Sequence, residues 1–161
     1  MGHASTALEL WKKHVGSEEG VGEWFTVDQT RINAFADATL DHQFIHIDPE
    51  KAAKLSPYKV TIAHGFLTLS LIPHLGGKIP PIEPAAYQGV VMGINYGLDK
   101  VRFPSPVKVG SRIRARRTLA EAEPSGRTTI QLKQVVTIEV EGAESKPACV
   151  AETLTRLVYS D

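Results

Sequence analysis

Cysteine occurs once in 161 residues, as Cys149, so no disulfide can form within the chain. It lies in the apolar alternating stretch Ala148-Cys149-Val150-Ala151, without a neighbouring base or cation, and reads as a buried strand thiol rather than a nucleophile. An excess of charge of either sign is missing too. Eighteen Lys and Arg balance eighteen Asp and Glu, so the attraction that draws proteins to nucleic acid or anionic lipid is absent on average, and neither is expected as a partner. No apolar run approaches the roughly 20 residues needed to span a bilayer. The amino-terminal residues Met1-Gly2-His3-Ala4-Ser5-Thr6 also lack the charged start and apolar middle of a secretion signal, so a soluble cytoplasmic protein is expected. Repeats and low-complexity tracts are absent.

What is present suits one compact domain over residues 1–161, since 42% hydrophobic content at this length can bury a core without staples. The densest chemistry is at residues 39–49, where Asp41, His42, His46 and Asp48 fall within eight positions and Pro49 closes the group. Asp41 and His46 are five positions apart, which on a regular helix would point them roughly 140° apart at about 100° per residue. They meet only if the backbone turns, so the segment reads as an irregular loop after a helix. A carboxylate and an imidazole meeting there can hold one water, the acid accepting and the imidazole exchanging protons near neutral pH. A structural reading competes: Asp41 as a helix cap and His46 as a hydrogen-bonded core residue. A metal site at His42 and His46 is disfavoured, because no third histidine sits at ligand spacing and a loop removes the helical geometry that would pair the two.

Along the chain, Thr6 and Glu9 have capping-box spacing ahead of Leu8, Leu10, Trp11 and Val15, predicting a short surface helix stopped at Gly16. Residues 17–23 read as a connector, so residues 1–20 form a helix and linker, and residues 24–27 as a first strand. Thr26 or Asp28 can cap a helix to about Thr39, with Ile32, Phe35, Ala36 and Thr39 inward. Pro49 opens a second helix ending near Leu55. From Gly65 to Ile72 the sequence is apolar on nearly every side and predicts a helix buried all round. Strands are predicted near 88–103, 111–122, 127–141 and 148–159, joined by short turns and therefore antiparallel. An α+β arrangement follows, a long sheet wrapped around the central helix, whose exposed edge a homodimer would remove.

These parts in this order resemble the MaoC-like family of hot-dog-fold proteins, which includes (R)-specific enoyl-CoA hydratases and NodN-like proteins. The resemblance runs from about Trp24 to Tyr159. It rests on Asp41 through Pro49 (Asp, four residues, His, then acid and proline), on the His64-Gly65 pair opening the central helix, and on the turn Phe103-Pro104-Ser105-Pro106-Val107-Lys108-Val109-Gly110. The stretch from Ile94 to Phe103 looks most like the NodN-like branch. Two positions depart from the hydratase pattern: Leu40 stands where glycine is usual, and Gln43-Phe44 replaces Asn-Pro. If that glycine has a positive φ, leucine there is strained or shifts the loop.

The resemblance implies that Asp41 and His46 hold a water that adds to C3 of a trans-2-enoyl-CoA, giving an (R)-3-hydroxyacyl-CoA. It leaves open which of the two removes the proton. Negative charge built on the thioester carbonyl needs a donor, and Gly65, at the amino end of the central helix, answers that need; equally, Gly65 permits close packing of helix on sheet. No cofactor beyond the coenzyme A of the substrate and no metal is implied. Arg112, Arg114 and Arg116 alternate along one strand, read first as a solvated face and second as a phosphate contact. His14, His42 and His74 read as surface or packing residues, and His64 as a neighbour of the site. Two alternatives remain: a hot-dog acyl-CoA thioesterase, and a non-catalytic acyl- or lipid-binding module in which Leu40 has disabled the loop.

Overall fold

The computed structural model describes residues 2–160. Helix α1 (His3–Lys12) has its N-cap at Gly2, four residues before the expected cap Thr6, so Thr6 lies inside the helix rather than capping it. It is no surface ornament. Ala7 and Trp11, four apart, are buried together with Leu119, Leu157 and Tyr159, and Trp11 Nε1–H donates to the Tyr159 hydroxyl at 3.2 Å. The residues expected as a connector contain a strand, β1 (Glu18–Val21), followed by β2 (Phe25–Thr26). Composition hid β1, because its place is fixed by pairing and by Glu19 turning inward to Arg117, neither of which local propensity records.

Asp28 caps α2 (Gln29–Thr39), accepting the Arg31 N–H at 2.9 Å, and Ile32 and Ala36 form its buried stripe. Three short helices follow: α3 (Phe44–Ile47), α4 (Pro49–Leu55) and α5 (Gly65–Ser70), the last continued by α6 (Ile72–Gly76). After a 3-10 turn at Pro84–Tyr87 come the long strands β3 (Val90–Arg102), β4 (Arg112–Pro124), β5 (Thr129–Val140) and β6 (Cys149–Tyr159). All pairings are antiparallel, in the order β1-β4-β5-β6-β3, with β2 also on β4.

Strand β5 shows how the sheet turns one apolar face toward the helices. Ile130, Leu132, Val136 and Ile138 recur at even spacing and are all buried. Val136 and Ile138 meet Leu67, Leu71 and Leu75 of the α5–α6 segment in one cluster, each leucine contributing about 1.5–3 kcal/mol by burial. This is the α+β hot-dog arrangement. The helix, however, is not buried on every side: Phe66 is 68% exposed and Ser70 also faces outward. An open groove of about 440 Å³ runs between Leu69, Ser70 and Pro73 on one side and Asn95 and Leu98 on the other. Among the described residues strand β3 pairs only with β6, leaving Val91, Met92, Ile94, Tyr96 and Leu98 exposed along an unpaired edge. Among the described residues no helix is long and apolar enough to cross a membrane.

Candidate active site

Helix α2 ends where Leu40 turns left-handed, at φ 64° and ψ 20°. A side chain in that region costs about 1–2 kcal/mol, and Leu40 recovers nothing by packing, being 80% exposed. The reversal lets the chain double back through residues 41–43 into α3. His46 thus sits in a one-turn helix rather than in the irregular loop expected, while the break before it supplies the turn that Asp41 and His46 need in order to meet.

His46 is buried, and its Nδ1 lies 2.7 Å from the Ile62 carbonyl. A carbonyl only accepts, so Nδ1 carries the proton and Nε2 keeps its lone pair. The turn is braced from below, where Gln29 Nε2–H donates to the His46 carbonyl at 2.7 Å and the Thr61 hydroxyl donates to Gln29 Oε1. His64 is buried as well, and its Nε2–H donates to the Asp41 backbone carbonyl at 3.0 Å. The two imidazoles stack at 3.8 Å, 22° from parallel. A carboxylate oxygen of Asp41 and one ring nitrogen from each histidine lie within 4.8 Å of one another. Burial holds His46 below its ordinary value of 6.5; His64 adds to that, while the Ile62 carbonyl and the Asp41 carboxylate work against it.

His46 and Gly65 line one pocket of about 200 Å³, together with Tyr58, Thr68, Phe103 and Ser105. As the first residue of α5, Gly65 has an N–H with no acceptor inside the helix. Its missing side chain also serves packing, since a Cβ there would come within 3.1 Å of the Phe103 ring.

The other sequence candidates are spoken for. Asp48 caps α4, accepting the Lys51 N–H at 2.9 Å; His42 pairs with Asp37 on the surface; His14 reaches Glu83; and His74 packs edge-on to Phe25. Arg112 pairs with Glu141, and Arg114 and Arg116 share the buried Glu139, each at 2.7 Å, so their charges are matched within the sheet. Cys149 is fully buried, and burial pushes its thiol up to about 11. Gln29 and Thr61 carried no sequence signal, being remote in the chain from the histidine they brace.

Asp41, His46 and His64 have the proximity of metal ligands, but a metal such as zinc sits in the imidazole plane at about 2.0–2.1 Å from each nitrogen. Rings stacked face to face lie in separate, nearly parallel planes, so no point that close to both rings lies in both planes. The cluster therefore suits proton exchange with a held water better than metal binding.

A model of the MaoC-like domain family matches residues 12–142. Over 143 residues the chain is 50% identical to the 3-hydroxyacyl-thioester dehydratase Z of Mycobacterium tuberculosis, covering 89% of this chain and 90% of that protein. Over 146 residues it is 51% identical to the Nodulation protein N of Rhizobium leguminosarum bv. viciae, covering 90% and 87% respectively. Among solved structures it resembles the unliganded R-hydratase PhaJ1 from Pseudomonas aeruginosa, with a TM-score of 0.69 at 22% identity over 91% of this chain and 83% of that one.

Proposed function

This chain belongs to the MaoC-like domain family, and from that membership we propose that it is a hydro-lyase interconverting a trans-2-enoyl-CoA and an (R)-3-hydroxyacyl-CoA. The observation that carries the reading is the convergence of the Asp41 carboxylate and a buried, tautomer-fixed His46 within 4.8 Å, beside a pocket that reaches Gly65. The names of the relatives, a 3-hydroxyacyl-thioester dehydratase and an R-hydratase, agree with it.

In the hydration direction, water is held between the Asp41 carboxylate and His46 Nε2. Its oxygen bonds to C3 of the enoyl thioester, one of its protons passes to the pair, and a proton from the pair reaches C2. The π electrons move toward the thioester carbonyl, whose oxygen carries the developing charge and accepts a hydrogen bond donated by the Gly65 N–H at the open start of α5. No cofactor beyond coenzyme A enters these steps. The enzyme is taken to be cytoplasmic and homodimeric, the second copy covering the apolar β3 edge.

The test is to incubate the purified chain with crotonyl-CoA while following both the enoyl absorbance and free thiol. Loss of the enoyl signal without thiol supports hydration. Thiol release would instead make this a thioesterase, and a thermal shift with acyl-CoA but no turnover at any chain length would make it a binding module.

A further inference from the structure

We propose that His64 is a positioning residue of the hydration site, its Nε2–H holding the loop of Asp41 and its ring face holding His46; this rests on the hydratase reading above. His64 is anchored where the core begins. Its carbonyl accepts the N–H groups of Leu67 and Thr68 at 3.0 and 3.2 Å, and both of those side chains are buried. Its ring is 2% exposed and meets Phe35 of α2 at 4.9 Å and His46 of α3 at 3.8 Å.

Asp41 has little else to fix it. Its side chain is exposed, and its nearest support is the Gln43 N–H, 3.4 Å from Oδ1. His42 turns away to Asp37, and Gln43 offers its carbonyl to the His46 N–H. Among the hydrogen bonds of the described residues, the one from His64 ties residues 41–43 to a part of the chain outside residues 37–46. The bond crosses 23 positions of sequence and joins the loop to the mouth of the central helix.

A histidine is an expensive way to fill this space. Nδ1 of His64 is buried with no protein partner, a defect that an apolar ring of similar size would avoid. What the imidazole adds over such a ring is the Nε2–H, and that donor goes to Asp41. The ring face has a separate role. His46 is held in its own plane by the Ile62 carbonyl, and the stacked His64 limits its tilt out of that plane. Acid–base pairs work at heavy-atom distances of about 2.6–3.2 Å, so a loop or ring that drifts by about 1 Å can lose on the order of a hundredfold in rate.

Three variants separate the two roles. His64→Phe keeps a flat face and removes the donor, His64→Gln keeps a donor near the Nε2 position, and His64→Leu removes both. For turnover of an enoyl-CoA, His64→Phe is expected to lower kcat about 10- to 100-fold with KM changed less than about threefold. His64→Gln should recover most of that loss, and His64→Leu should fall at or below His64→Phe. Thermal melts accompany the kinetics, and imidazole nitrogen NMR reads the His46 tautomer without any turnover: one Nδ1–H form in wild type and His64→Phe, mixed forms in His64→Leu. Wild-type kcat in His64→Phe and His64→Leu overturns the proposal, as does a kcat loss that tracks melting temperature with no recovery in His64→Gln. Should the wild type hydrate no enoyl thioester, the hydratase reading falls by itself, and the NMR comparison still decides whether His64 holds His46: a single unchanged tautomer in His64→Leu would end the claim.

Discussion

Two regions of this molecule bury ionisable groups, and they treat them in opposite ways. On the sheet, Glu139 accepts from both Arg114 and Arg116, and Glu19 accepts from both Arg117 and Gln134, so every buried charge meets its match. Between α2 and α5, His46 keeps Nε2 uncommitted, His64 leaves Nδ1 unpartnered, and Asp41 is tied down mainly through its backbone. Backbone strain divides the same way. Among the described residues, the non-glycine residues with positive φ are Leu40 and Lys59, both flanking the histidine region, whereas the β4–β5 and β5–β6 turns use Gly126 and Gly142. Burial of charge alone therefore does not mark a site here. Hydrogen-bonding capacity left open, in a segment that accepts strain, does.

The sharpest way to break that contrast is to substitute the open cluster. Asp41→Asn or His46→Gln is expected to lower enoyl-CoA hydration by about two to four orders of magnitude, with the melting temperature little changed. Wild-type turnover in either variant would dissolve the distinction. On the sheet the outcome should be reversed: Glu139→Gln is expected to leave hydration intact and to destabilise the fold by about 1–3 kcal/mol, read by urea unfolding, because it strips the shared carboxylate charge from two arginines.

Acid titration separates the regions again. Burial lowers the His46 value below 6.5, so the unfolded chain takes up that proton first. Stability contributed by neutral His46 is complete above 6.5 and declines as pH falls from there to the folded value, and the acid limb of the hydration profile should lie below 6.5. For Glu139, burial works to raise the carboxyl, but the hydrogen bonds from Arg116 and Arg114 outweigh it and the net value is lowered. Its stabilisation should be complete above 4.5 and be lost only as pH falls through the folded value beneath that. An acid limb of activity above 6.5 would contradict the neutral, open His46. The smallest effect concerns strain: Leu40→Gly should raise stability by about 0.5–1 kcal/mol, the left-handed penalty relieved less the entropy glycine adds, which a melt would show as a gain of about 1–4 °C.

Much of this was legible in the chain. The four long strands and their turns came from alternation and from Gly and Pro at the breaks, and Asp28 and Pro49 marked the helices they begin. Asp41, His46 and Gly65 were identified as candidates, and the structure brings the first two together and sets the third on the same pocket as His46. What escaped was non-local. Strand β1 is a strand because β4 is beside it, α1 is a core element because Trp11 finds Tyr159, and Gln29 braces a histidine seventeen residues away.

Sequence by itself determined the periodicities, the strand lengths and the set of proton-exchanging side chains, because each of these depends on a residue and its near neighbours. Only the tertiary structure decided which lone pairs stay open. That choice depends on acceptors such as the Ile62 and Asp41 carbonyls, which every residue carries alike and which only folding aims at a particular ring nitrogen.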